Sequence, residues 1–270
     1  VTVANGATAT VNAGLYGAAT VSGLVFTDIN ADGTADGSDA GLAGQTVKLL
    51  SGSTVVATTT TSSTGSYKFT GVSPGSYTVQ VVNASGETFS AKGVSTTLAN
   101  STVSSAGAAS VVLASGGAAT VNAGEYAPST VTGTVFNDLN ADGTQEAGDT
   151  GLSGQTVSLL SGTTVVATTT TGTGGTYSFA GVAPGSYTVS VTKLTGDTFS
   201  TTGTAAVTTT SGSAVAATPI GEYAPSTVTG TVFNDLNADG TQEAGDTGLS
   251  GQTVSLLNGT TVVATTTTGT

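Results

Sequence analysis

The sequence predicts an all-β chain of tandem sandwiches, on three observations. Its 270 residues hold 40 Gly, 7 Tyr, 7 Phe and no Trp among long Thr, Ser, Val and Ala tracts, a composition that favours short strands and frequent turns over helices. Apolar and polar residues alternate with the two-residue period of half-buried strands. The same stretch then returns along the chain at intervals long enough for each copy to hold a core of its own.

The repetition is plainest in VFNDLNADGTQEAGDTGL, Val135 to Leu152, which recurs almost unchanged at Val232 to Leu249 and in divergent form at Val25 to Leu42. Matching Val21, Val131 and Val228 gives periods of 110 and 97 residues. The shorter period loses residues just before the closing Glu-Tyr-Ala-Pro, where a loop or an edge-strand pair tolerates length change. Such periods exceed those of solenoids and match strings of sandwich domains. The expected organisation is residues 1–17 as the closing strand of a preceding repeat, 18–128 and 129–225 as full repeats, and 226–270 as the opening part of a third. The first assignment rests on VTVANGATATVNAG, which aligns with VVLASGGAATVNAG from Val111 onward.

Within the second repeat the elements follow in order. VTGTVF is a strand that runs into the acidic stretch. QTVSLLS places Val157 and Leu159 on one face and Thr156 and Ser158 on the other, and Ser161-Gly162 turns it into TTVVATTTT as a hairpin. TYSF brings Tyr177 and Phe179 to one face, Pro184-Gly185 makes the next turn, and SYTVSVT sets Tyr187, Val189 and Val191 opposite Thr188, Ser190 and Thr192. Two weaker strands between Asp197 and Tyr223 bring the total to about seven, enough for a small two-sheet sandwich. The Thr tracts read as the wet faces of these strands. Asn83, Asn100 and Asn258 head Asn-x-Ser/Thr sequons, a loose pattern. Pro128 and Pro225 make the connections between repeats short and extended.

Composition also excludes functions. The chain has no Cys, His or Met, which removes thiol nucleophiles, imidazole bases and zinc sites, so no enzyme is expected. A net charge of -12 from 16 acids and 4 bases makes nucleic acid and anionic membranes poor partners, and no apolar run in this segment is long enough to insert in a bilayer. Only Glu87, Glu125, Asp197 and Glu222 lie outside the three acidic stretches. The other acids crowd into those stretches, where they repel one another unless a cation sits among them.

The crowding has a spacing, D-x-N-x-D-G-x5-D, which is that of a calcium loop of the EF-hand type. Alternate oxygen donors on a tightly turned backbone converge on one point, the Gly permits the bend, and the twelfth position closes the shell. Asp replaces the usual Glu at that position and reaches less far.

The order of strand, DxNxDG loop, GLxGQTVxLL, Thr-rich hairpin, G-x-Y-x-F and GVxPGxYTV resembles the B-type repeats of serine-aspartate-repeat surface proteins, relatives of the collagen-adhesin B-type domains. The resemblance spans both full repeats and the opening of the third. It implies tandem seven-stranded prealbumin-like (Ig-like) β-sandwiches, one Ca2+ per acidic loop, and a cell-surface stalk or spacer. Carried over by position, the ligands are Asp28, Asn30, Asp32, Thr34 by its carbonyl, Asp36 and Asp39; then Asp138, Asn140, Asp142, Thr144, Glu146 and Asp149; then Asp235, Asn237, Asp239, Thr241, Glu243 and Asp246. Some related domains carry a Lys-Asn isopeptide bond, but Ser158 and Ser255 stand where Lys48 stands in the first repeat, so Lys48 is expected at the surface. The expected function is structural: a calcium-stabilised extracellular filament, stalk or surface layer whose partners are neighbouring repeats or further copies of itself; Val1 to Val11 is either a strand donated to another molecule or simply the end of a preceding repeat that this segment does not include. An adhesin module for a host protein or glycan is the alternative.

Overall fold

Strand β1 (Ala19–Thr27) organises the first repeat. Ala19, Val21 and Val25 lie fully buried along one face, and the computed structural model describes the chain from Val1 to Thr270. After β1 come β2 (Ala40–Gly41), β3 (Thr46–Ser51), β4 (Thr54–Thr60), β5 (Ser66–Val72), β6 (Gly75–Val81), β7 (Thr88–Phe89), β8 (Ala108–Leu113), β9 (Ala118–Thr120) and β10 (Ala123–Tyr126). One sheet is antiparallel in the order β4-β3-β6-β8. The other runs β2-β1-β10-β7, with β5 and β9 paired to the earlier half of β1. Both β9 and β10 run parallel to β1.

The closing strand is thus interrupted between β9 and β10. The Tyr67 hydroxyl donates to the Val121 carbonyl at 2.6 Å, so this carbonyl turns out of the ladder toward the ring. Gly23 of β1 lies directly beneath, where a Cβ would stand 1.8 Å from the same oxygen. Between the sheets, Val25, Val47, Leu49, Phe69, Val79 and Val81 form the core, and Tyr67 meets Phe69 edge to face. The β3–β4 hairpin turns on Gly52 at φ 60, a left-handed geometry that suits Gly in a two-residue loop.

The second repeat follows the same plan with β11 (Ser129–Asn137), β12 (Thr150–Gly151), β13 (Thr156–Ser161), β14 (Thr164–Thr170), a short 3-10 turn at Thr173–Gly175, β15 (Thr176–Val182), β16 (Gly185–Thr192), β17 (Thr198–Phe199), β18 (Thr204–Thr209), β19 (Ala214–Ala216) and β20 (Ile220–Tyr223). Its sheets are β14-β13-β16-β18 and β12-β11-β20-β17, with β15 and β19 on β11. The alternation expected from sequence is present: Val157, Leu159, Tyr177, Phe179, Val189 and Val191 are buried. Lys48 pairs with Thr58 and Gln80 on the face away from the core. The chain is all-β, and no helix is long and apolar enough to cross a membrane.

Ala224–Thr270 forms a separate unit. It contains the pair β21 (Phe233–Asn234) and β22 (Thr247–Gly248) and the hairpin β23 (Thr253–Asn258) and β24 (Thr261–Thr267).

Residues 1–18 hold no strand, although Val1–Tyr16 reads as a closing strand. A closing strand of a preceding repeat would pair within that repeat, while the places beside β1 are taken by β9 and β10. Its last residues are nevertheless docked. Gly17 N donates to Ser115 Oγ at 2.8 Å, and Gly17 O accepts from Gly116 N at 2.7 Å. Ala127 does the same against the second repeat: its amide donates to Ser211 Oγ at 2.9 Å and its carbonyl accepts from Gly212 N at 2.8 Å. One further bond joins the two sandwiches, from Ser211 N to the Ile29 carbonyl at 2.9 Å. Tyr126 also lies near Tyr187, whose phenol is raised first by burial and then by Tyr126.

Candidate metal-binding loops

Each acidic loop leaves the end of a first strand and is closed by its own side chains before any ion is considered. The carboxylate at position one accepts the amide of the loop Gly: Gly33 N to Asp28 Oδ2 at 2.7 Å, Gly143 N to Asp138 Oδ2 at 2.7 Å, Gly240 N to Asp235 Oδ2 at 2.8 Å. Asn30, Asn140 and Asn237 accept the amides of Asp32, Asp142 and Asp239, and those Asp residues accept the amides of Thr34, Thr144 and Thr241. These are successive Asx turns. The twelfth residue ties the ends together. Asp39 accepts from Ile29 N at 3.0 Å and Asp36 N at 3.1 Å; Asp149 does so from Leu139 and Glu146, and Asp246 from Leu236 and Glu243.

The bend carries strain in all three copies. Ala31, Ala141 and Ala238 take φ of 58, 58 and 60, a left-handed conformation that costs a residue with a Cβ about 1–2 kcal/mol.

Two observations bear on a cation. Asp28 and Asp138 are fully buried, and the Oδ1 of each lacks a well-formed hydrogen bond; at Asp138 desolvation is outweighed by the Ser200 hydroxyl and the Gly143, Ala141 and Asp142 amides, which hold the carboxyl below its ordinary value, so the want of a counter-charge is clearest at Asp28. The loop carboxylates also perturb one another. Glu146 is held above its ordinary value by desolvation first and then by Asp142, Asp149 and Asp138. Asp39 is raised mainly by burial, with smaller contributions from Asp28 and Asp36 and opposition from the Ile29 and Asp36 amides. The donor set is entirely hard oxygen, which fits Ca2+. A cation bound there would supply the positive charge that the orphan oxygens lack.

In their present rotamers, no three carboxylates converge as a ready-made metal cluster, because each spends oxygens on loop amides. Position nine differs between copies. Asp36 turns to the Ser38 hydroxyl and amide, at 2.6 and 2.8 Å, and these bonds hold its carboxyl low. Glu146 and Glu243 reach instead toward Asn140 and Asn237 inside their loops, at 3.4 and 3.3 Å. Thr34 lies against Asn100, whose Oδ1 accepts the Thr34 hydroxyl at 3.2 Å. Gly33 O accepts from Ser101 N at 2.6 Å. Thr144 and Thr241 are exposed. The extra length of the first repeat thus serves to brace its loop, and the Asn100 sequon side chain is engaged in that brace, donating to Ser95 O at 2.6 Å.

Two acids that sequence reasoning left aside prove to be structural. Glu125 and Glu222, both in Gly-Glu-Tyr of the closing strand, have no exposed surface. Burial pushes the Glu125 carboxyl up to about 7, with Glu87 adding to the rise and the Ala84 amide opposing it. The available signal was the recurrence of a charged residue inside an otherwise apolar strand.

Comparison with known proteins accords with this architecture. The family model described as SdrD B-like domain matches residues 19–124 and 129–223. Serine-aspartate repeat-containing protein F of Staphylococcus epidermidis is 30% identical over 293 residues, an overlap of 94% of this chain and 16% of that protein. Colossin-A of Dictyostelium discoideum is 33% identical over 192 residues, 64% of this chain and 2% of that protein. The chain therefore spans a small part of these relatives. Among solved structures, the TIE protein of Bacillus anthracis aligns with 94% of this chain and 41% of its own at 15% identity and a TM-score of 0.35. A minor pilin of Streptococcus agalactiae aligns with 79% of this chain and 99% of its own at 13% identity and a TM-score of 0.33. With both sandwiches matched by one family model and a relative at this identity along nearly its whole length, the chain belongs to the SdrD B-like domain family.

Proposed function

We propose that this chain is a calcium-stabilised structural segment of an extracellular, cell-surface stalk, filament or surface layer. The observation that carries the reading is the buried, unpartnered Oδ1 of Asp28 and Asp138 at the head of loops whose spacing is that of an oxygen-ligand cation site. Family membership supports the surface location, and the matching relatives include serine-aspartate repeat proteins. In the first loop the ligands are Asp28, Asn30, Asp32, Thr34, Asp36 and Asp39, with the corresponding residues serving in the other two. The ion neutralises the crowded carboxylates and fixes the segment between β1 and β2, so its binding free energy becomes folding free energy.

Thermal unfolding of the full chain with millimolar calcium and with excess chelator tests this. The midpoint falls by several degrees in chelator and protease cuts appear first within the loops; an unchanged midpoint and cleavage pattern refute the calcium reading.

Assembly between copies is the finer part of the proposal. Val1, Val3 and Val11 are exposed and apolar in a segment without strand partners, as a strand donated to a second copy requires. Electron microscopy at high protein concentration is expected to show fibres that are lost on deleting residues 1–11; monodisperse particles from the undeleted chain count against it.

A further inference from the structure

The two sandwiches close their last strand differently. In the first repeat, β9 leaves β1 after Thr120 pairs with Ser22, and β10 rejoins it where Ala123 pairs with Val25, so that Val121 and Asn122 fill the break. In the second, Ala216 pairs with Thr132 and Ile220 with Val135. The break there holds Ala217, Thr218 and Pro219, one residue more over the same length of first strand.

The first repeat plugs its break with its own atoms. The Val121 carbonyl accepts the Tyr67 hydroxyl at 2.6 Å, and Asn122 Oδ1 accepts the Leu24 amide at 3.0 Å. Both plugging residues are buried. In the second repeat the extra residue carries Thr218 and Pro219 out to the surface, and neither plug is kept. Tyr177 is only 4% exposed, yet its hydroxyl has no hydrogen-bond partner, an exception among buried phenols. Thr134 lies opposite Thr176 as Leu24 lies opposite Ser66, so its amide points toward the closing strand, where Asn122 has no counterpart.

The result is an open groove of about 790 Å³ with Tyr177 in its wall. Ala216, Ala217 and Pro219 make one side apolar, and the hydroxyls of Thr132, Thr134, Thr170, Thr176 and Ser178 belong to residues around the remainder. No charged residue lines it. An apolar wall with a few polar groups to fix orientation is the make-up of a small-molecule site, and the buried phenol supplies a donor that still needs an acceptor.

We propose that this groove is a saccharide subsite of the second repeat that takes an N-acetylated hexosamine. The first repeat shows what chemistry the place accepts, a carbonyl oxygen for the phenol and a carboxamide oxygen for the strand amide. An acetamido group offers the same kind of oxygen to the Tyr177 hydroxyl and the Thr134 amide, and its methyl rests against Ala217 and Pro219. The sugar hydroxyls then meet the Thr and Ser hydroxyls. A neutral ligand suits an uncharged wall, and the net charge of -12 on the chain turns anionic sugars away. The subsite uses no residue of the acidic loops and needs no cation.

The test is a titration of the isotope-labelled full chain with N,N′-diacetylchitobiose, set against cellobiose, which has the same linkage and no acetamido group. The Thr134 and Ala217 amides report on the groove, and the Leu24 and Val121 amides on the plugged break of the first repeat. Thr134 and Ala217 are expected to shift together at millimolar diacetylchitobiose and to stay still in cellobiose, with Leu24 and Val121 still in both. Tyr177→Phe removes the donor and weakens the response about tenfold. It also removes an unpaired buried hydroxyl, so its melting midpoint should not fall, which separates loss of ligand from loss of fold. Thr218→Asn with Pro219 deleted restores a shorter break with its own carboxamide and abolishes the response. No shift, an equal shift in cellobiose, or an undiminished shift in Tyr177→Phe overturns the site. A shift produced by a Val-Asn dipeptide amide and not by the sugar overturns the saccharide in favour of a peptide.

Discussion

Ala141 shows how a single residue sets the geometry of a loop. It sits between Asn140 and Asp142 at φ 58, where a β-branched side chain adds steric cost to an already unfavourable conformation. Ala141→Val is expected to destabilise the second repeat by about 1–2 kcal/mol and to weaken calcium binding, whereas Ala141→Gly keeps both; calorimetric titration with thermal unfolding checks the pair. Glu125 gives a pH signature. Its carboxyl is raised from 4.5 to about 7 by burial, so the folded chain holds that proton more tightly than the unfolded chain. Its contribution is present in full below pH 4.5 and is lost as pH rises through 7. In excess chelator, the parent should therefore lose stability across this window relative to Glu125→Gln, as paired denaturant titrations at pH 4 and pH 8 would record. The loop was legible in the sequence because its donors are local: Asp28, Asn30 and Asp32 bond within a few residues of themselves, and the same bonds recur at Asp235–Asp246. Glu125 was not legible, because its burial depends on a turn some forty residues earlier in the chain.

Among the elements, the hairpins and the Tyr-x-Phe strands could be read from alternation alone, since Val157, Leu159, Tyr177 and Phe179 declare a face by period two. The break in the closing strand could not: in the first repeat Tyr67 of β5 bonds a carbonyl of the last strand there, whereas the Tyr177 hydroxyl of the second has no partner. Glycine marks the place in both repeats. At Gly133 of β11, a Cβ would lie 2.1 Å from the Tyr177 hydroxyl, so Gly133→Ala must displace that ring and is expected to cost about 1–3 kcal/mol. Gly148→Ala, with nothing within 4 Å of the added carbon, is the control, and denaturant midpoints of the two variants decide the matter.

In the whole molecule, the junction repeats as faithfully as the sandwiches. Gly17 docks on Ser115 and Gly116 as Ala127 docks on Ser211 and Gly212. Ile29 links the junction to the first loop, since its amide is held by Asp39 and its carbonyl by Ser211. Ser211→Ala leaves the Ala127 amide without its side-chain partner, a loss of about 1 kcal/mol. It should let the two full repeats reorient more freely without changing the melting of either. Backbone relaxation that still shows the two sandwiches tumbling as one body would count against this role.

The parallel pairing of β1 with β9 and β10 has a mechanical consequence. A repeat pulled at its two ends is gripped at the start of β1 and the end of β10, two neighbouring strands drawn in opposite directions along their length. Their hydrogen bonds are then loaded together in shear instead of being peeled one at a time, and the barrier to forced unfolding rises accordingly. A tether at the cell surface works under this kind of load, and the acidic loop begins where the sheared strand ends.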